Sequence, residues 1–208
     1  MITALLLIFA PGPTWDRIFR ARRGFACVLC VYLLPLLVLS SIGEAYGLHH
    51  WGLWQGEVAR LKRFSVGETV LLECAEVLLW LLVVGIGAQL LKSMAETFHG
   101  RHTYLQAFRT VAYGLGPLFL FRLLNTVPTL SPWVSWGLGI IFSIGVMYQG
   151  VPRMMEPDPP HAIGLYFMTS LLLLFISGLV TFLIACYQQG KFPQVQHFIS
   201  DLAARLPF

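Results

Sequence analysis

Charge is scarce in this sequence. Of its 208 residues only 12% are Asp, Glu, Lys or Arg, about half the usual share in soluble domains. That deficit excludes an ordinary soluble domain, and no polar stretch is long enough to build a separate one. Basic residues exceed acidic ones by 14 to 10, yet they gather at the ends of apolar runs and form no stripe. A nucleic-acid-binding surface is excluded on that ground. Catalytic signatures are missing as well: there is no phosphate-cradling glycine loop, no GxSxG elbow and no HExxH. Nothing places a nucleophile beside a base, so neither an enzymatic activity nor a cofactor is expected.

Cysteine is also sparse, and its placement argues against redox or zinc chemistry. Cys27 and Cys30 form a CxxC inside the greasy run "FACVLCVYLLPLLVL", whereas such a motif needs a polar, accessible turn. They read as ordinary buried thiols, and Cys74 and Cys186 also lie in apolar segments. The stretch "MITALLLIFA" is not expected to be a secretory leader, since it has no charged start and "PGPTW" follows it in place of a small-residue cleavage site. Ten residues are too few to span a bilayer, so this stretch is expected to rest at, or dip into, the interface.

Hydrophobicity is abundant: 57% of residues are apolar and the mean hydropathy is +0.72. Five runs are long enough to cross as helices, at about 25–43, 70–91, 104–124, 133–148 and 162–187. They make one all-α polytopic transmembrane bundle over residues 1–208. Pro35 predicts a kink in the first run. Gly85, Gly87, Gly114, Gly116, Gly137, Gly139 and Gly145 offer surfaces for close helix packing. Arg17, Arg20, Arg22 and Arg23 precede the first span and predict a cytoplasmic N-terminus with an outward C-terminus. Arg60, Lys62 and Arg63 oppose that orientation.

Two amphipathic stretches flank the spans. In "PTWDRIFRARR", Thr14 is placed as N-cap of a helix with Trp15, Ile18 and Phe19 on one face and arginines on the other. That is the pattern of a helix lying in the membrane surface. In the tail, Val195, Phe198, Ile199, Leu202 and Leu206 recur at helical spacing. Trp51 and Trp54 read as interfacial anchors.

Charges inside spans are costly and raise functional hypotheses. Glu73 and Glu76 are three apart and share a face of the second span. Arg122 lies toward the same end of the third, so a pair with Glu73 or Glu76 is expected. The sharper reading is a proton or cation relay, but no further polar residue continues a path across the bilayer. Arg109 lies at the other end of its span, with Glu96, Glu156 and Asp158 as candidate partners. Glu96, His99 and His102 have metal-ligand spacing, but Gly100 interrupts the helix they would need, and no metal site is assigned. In "GVPRMMEPDPPHAIGLYF", Gly150 and Pro152 are expected to end the fourth helix and Asp158 to cap the fifth. The stretch reads as a rigid connector, clamped to Arg109 through Glu156 or Asp158.

The order of elements resembles the YIP family, membrane proteins named for interaction with Ypt/Rab GTPases, and looks closest to its prokaryotic-type branch. The likeness rests on "PGPTWDRI" before the first span, on "FHGRHTYLQAFRTVAYGLGPLFL", and on "YQGVPRMMEPDPPHAI". The resemblance implies a five-helix membrane domain with a cytoplasmic N-terminus and no catalytic activity. Eukaryotic relatives act in vesicle traffic through Rab GTPases. The Asp-Leu-Tyr-Gly-Pro motif and long cytosolic arm of those relatives are missing here, which speaks against a Rab-type partner. The expected function is a non-enzymatic scaffold or adaptor in a bacterial inner membrane, partnered by the bilayer, other membrane proteins or copies of itself. The alternative is a small-solute, ion or proton transporter.

Overall fold

The computed structural model describes residues 2–55, 60–97, 103–127, 130–157 and 159–204. Two short helices, α1 (Ile2–Phe9) and α2 (Pro11–Ala21), precede five long ones. These are α3 (Phe25–His50), α4 (Val66–Thr97), α5 (Tyr104–Thr126), α6 (Pro132–Met155) and α7 (Ala162–Gln188), each long and apolar enough to cross a membrane. A last helix, α8 (Pro193–Ala204), follows. Between α3 and α4, β1 (Leu53–Gln55) and β2 (Arg60–Lys62) pair as a short antiparallel hairpin. The architecture is an all-α multi-pass bundle.

Burial is arranged for a lipid solvent. On α4, Leu78, Leu82 and Ile86 face outward, and on α7 so do Phe175, Leu179 and Phe182. Each set is spaced to form one outer stripe. The opposite faces are apolar too, so α4 and α7 show little amphipathic contrast, as expected of helices bounded by lipid and protein. α5 differs: 78% of its most apolar window is buried, against 33–44% for the other four. It is the central helix, and because its neighbours shield it, it tolerates the lowest mean hydropathy of the five.

The helices outrun their hydrophobic stretches. α4 starts at Val66 because Ser65 and Glu68 form a reciprocal cap: the Ser65 N–H donates to Glu68 Oε2 at 2.9 Å, and the Glu68 N–H to Ser65 Oγ at 3.2 Å. Thr103 and Gln106 cap α5 in the same way. At about 1.5 Å per residue, the 32 residues of α4 extend well beyond a bilayer core of about 30 Å.

Interruptions fall where proline and glycine demand them. The turn Leu29–Leu33 of α3 is a π-helix, and the Leu34 N–H reaches back to Leu29 O. This wide turn lies immediately before Pro35, which has no N–H to give. α5 breaks after Gly114, resumes at Gly116 with Pro117 in its first turn, and tightens to 3-10 geometry over Arg122–Thr126. Tyr32 packs its hydroxyl against Gly116, where a Cβ would come within 2.1 Å of it.

Several expectations need correction. Thr14 is not an N-cap: α2 starts at Pro11, and the Thr14 hydroxyl donates to Ala10 O at 2.7 Å from inside the helix. Proline at both ends of "PGP" starts the helix four residues sooner, with Ala10 at the N-cap position. Trp15 and Ile18 turn away from lipid into the bundle. Trp15 is fully buried and its Nε1 donates to Val146 O at 3.0 Å, while Phe19 packs against the same core. The amphipathic pattern is present, but α6 supplies the apolar surface that α2 covers. α1 is likewise seated on the bundle through Ala4 and Leu7. Cys27, Cys30 and Cys74 are exposed on the outer surface and only Cys186 is buried, because the CxxC lies on the outward face of α3.

Gly137 and Gly145 have open space where a side chain would go and make no close packing surface, unlike Gly139, whose Cβ would meet Leu118 Cα at 2.8 Å. α6 runs through Gly150 and Pro152 to Met155, and Glu156 ends it with a left-handed φ of 36°. Pro152 is tolerated because it removes a single bond near the helix end. Asp158, His99, His102 and Leu206 lie outside the described residues, as does the side chain of Trp54. Trp51 is exposed.

Candidate functional site

Four of the long helices bring polar side chains to one place near the end of the bundle that carries the hairpin. α3 contributes Glu44 and α4 contributes Glu73, Glu76 and Trp80. α5 adds Arg122 and Asn125, and α7 adds Gln188. Glu44, Glu73, Glu76 and Arg122 are all buried, at 2–6% exposure. Backbone approach makes the site possible. Gly43 and Gly47 flank Glu44, and a Cβ at Gly47 would lie 2.6 Å from Thr126 O. Without side chains there, α3 closes on the Arg122–Thr126 turn and Glu44 is carried to the guanidinium.

Arg122 is the hub. Its Nη2 donates to Glu44 Oε2 at 2.9 Å and, in a close pair, to Glu76 Oε1. Asn125 Nδ2 donates to Glu44 Oε2 at 3.3 Å, and Gln188 Nε2 to Glu44 Oε1 at 2.8 Å. Trp80 Nε1 donates to Glu76 Oε1 at 3.3 Å, and the guanidinium lies 5.4 Å from the centre of the Trp80 ring, within cation–π range. Glu44 and Glu76 are therefore held by charge-assisted hydrogen bonds, the stronger kind.

Glu73 is different. Both of its carboxylate oxygens are buried without a hydrogen-bond partner of good geometry. One oxygen from each of Glu44, Glu73 and Glu76 lies within 4.8 Å of the others. Three carboxylates thus converge on one guanidinium.

The expected pair of Arg122 with Glu76 is present; Glu73 forms no ion pair among the described residues. Arg109 stands apart, buried on α5 toward the other end, with Tyr113 and Arg22 as its electrostatic neighbours. Its Nε has no partner. No ion pair joins it to Glu96 or Glu156 among the described residues: Glu96 pairs with Lys92 at 3.4 Å, and Glu156 is exposed at the α6 terminus. What ties this end together is Arg153, whose Nε donates to Asp16 Oδ1 at 3.2 Å and so links α6 to α2.

Glu44 escapes a hydropathy reading because the first apolar run stops at Gly43, whereas the helix does not. The available signal was the series Leu37, Ser41, Glu44 and Leu48, buried at spacings of four, three and four. Asn125 and Gln188 sit beyond or at the ends of apolar runs and give no signal of their own. Trp80 is one turn after Glu76.

Long apolar helices with an outward greasy surface and inward-turned charges define an integral, multi-pass membrane protein. The sequence matches the family model of the Yip1 domain over residues 5–182, and the chain belongs to that family. The matched stretch contains Glu44, Glu73, Glu76 and Arg122 but ends before Gln188. No curated protein and no solved structure matches the chain.

Proposed function

We propose that this Yip1-domain protein is a non-enzymatic membrane scaffold or adaptor, acting on membrane organisation or trafficking-like processes through contacts with lipid and other membrane proteins. The observation that carries this reading is the use made of the charged residues. Arg122 ties α3, α4 and α5 together through Glu44 and Glu76, and Gln188 brings in α7. The stretch of α5 between Arg122 and Arg109 packs through Val111, Leu115, Leu118 and Phe119, all buried and apolar. A polar route joining the two arginines has no support in that packing.

The N-terminus is placed on the cytoplasmic side of a bacterial inner membrane, with α8 on the opposite side. The supporting feature is the arginine cluster of α2 and the residues after it, Arg17, Arg20, Arg22 and Arg23. α2 is seated on α6, so those arginines are presented as a fixed basic surface to headgroups or to an acidic partner. The Asp-Leu-Tyr-Gly-Pro motif does not occur in the sequence, and a Rab-type partner is not proposed.

Photo-crosslinking from positions in α2 and α8 in native membranes tests the adaptor reading. Recurrent capture of one or a few membrane proteins, or of a second copy, supports it. The opposing result is proton or ion flux in protein-containing liposomes that disappears in Glu76→Gln, which would favour transport.

A further inference from the structure

We propose that Glu73, Glu76 and Ser41, with Glu44 beside them, form a binding site for a divalent cation of calcium's size, entered from the hairpin end of the bundle.

Charge is the first argument. Three buried carboxylates face one guanidinium, and Arg122 is the one cationic side chain bordering the pockets at this cluster among the described residues. Arg122 neutralises one carboxylate. Two carboxylates remain to be neutralised by a cation or by protons, because an uncompensated buried ion costs several kcal/mol. One divalent cation balances the set.

The free ligand atoms form the second argument. Arg122, Asn125, Gln188 and Trp80 already occupy three of the four oxygens of Glu44 and Glu76. Glu76 Oε2 and both Glu73 oxygens have no partner. Ser41 is one helical turn before Glu44 and on the same face, faces Glu73, and buries its Oγ without a hydrogen bond of good geometry. Ser41 and Glu73 are each only 6% exposed, so bulk water does not satisfy them. These are all hard oxygen donors, the type that calcium takes, at about 2.3–2.6 Å. That radius allows ligands on opposite sides up to about 5 Å apart, which accommodates the 4.8 Å spread of the three carboxylates.

Access is the third argument. A cleft of about 210 Å³ opens at the hairpin end and is lined by Glu44, Asn125, Gln188, Leu53 and Ser131. Behind it, sharing Glu44 and Asn125, a small pocket of about 20 Å³ touches Glu76, Trp80 and Arg122. Its volume suits a single water or ion. The cleft and the pocket reach Glu44 and Glu76, with Glu73 and Ser41 beside them in the same cluster. The inference does not depend on the adaptor reading.

Terbium offers a direct probe, because Trp80 and Trp136 border the pocket and can sensitise its emission. The full chain in lipid nanodiscs is titrated with terbium under tryptophan excitation, and its melting temperature is measured with and without calcium. The expected result is saturable emission that calcium displaces, with a higher melting temperature in calcium. Glu73→Gln is expected to weaken terbium binding at least about tenfold and to abolish the calcium effect on melting. Ser41→Ala gives a milder loss and serves if Glu73→Gln does not fold. Emission unchanged in both variants would locate the metal on surface carboxylates and overturn the proposal. So would a melting temperature indifferent to calcium but rising as pH falls, because protons would then supply the missing charge.

Discussion

Arg122 has two carboxylate partners, whereas Arg109 has none among the described residues. Removing one member of a buried charge pair strands the others, at a cost of about 3–5 kcal/mol. Arg122→Gln is therefore expected to lower the melting temperature in detergent sharply, and size-exclusion chromatography would show loss of the monodisperse species. Arg109→Met removes a buried guanidinium that lacks a carboxylate and leaves its alkyl bulk in place. Melting should be unchanged or higher, and a large drop would reveal a partner for Arg109 outside the described residues. Both arginines look alike in sequence, a single cation in an apolar run. Their difference lies in what the other helices bring to them.

Elements meet at small residues. Gly150 lies against the Trp15 ring, where a Cβ would approach to 2.4 Å, and this contact seats α2 on α6. Gly150→Ala must displace a ring that also donates to Val146 O, so overpacking of about 1–3 kcal/mol is expected. Trp15→Ala empties the same site and leaves α2 held by Ile18, by Phe19 and by the exposed Arg153–Asp16 pair, which is of modest worth. Trypsin cleavage at Arg17 to Arg23 should be faster in Trp15→Ala than in the unmodified protein, while cleavage at Lys191 stays constant. Equal rates at both sites would mean that α2 is not docked through Trp15. The amphipathic spacing of Trp15, Ile18 and Phe19 was legible in the sequence. The surface that it covers was not, because a protein groove and a lipid interface select the same periodicity.

Five helices are long and apolar enough to cross a membrane, and with all five crossing, α2 and α8 are expected on opposite sides. Single cysteines introduced at Arg20 and at Ser200 in a cysteine-free background should react with an impermeant maleimide from opposite faces of sealed vesicles. Labelling of both from one face would remove one of the five crossings. The apolar lengths and terminal arginines that predict this arrangement are local quantities, and helix existence and number were readable from them. Helix ends were not, since α3, α4 and α6 continue past their hydrophobic runs. Capping by Ser65 with Glu68, and cover from neighbouring helices over Glu44, set those ends.

By itself the sequence determined that this protein lives in a bilayer, has five helices long and apolar enough to cross it and keeps its few charges for particular places. It also placed Glu76 and Arg122 near enough to pair. Each of these follows from hydrophobic length and from the cost of charge in lipid, which act on one helix at a time. Only the tertiary structure decided that Glu44 joins them, that Glu73 remains without a hydrogen-bond partner of good geometry, and that Trp15 faces protein. These depend on how closely four helices approach, and that approach is set by Gly43 and Gly47 against Thr126 and by Gly150 against Trp15. Such contacts join residues far apart in the chain, and no local pattern records them.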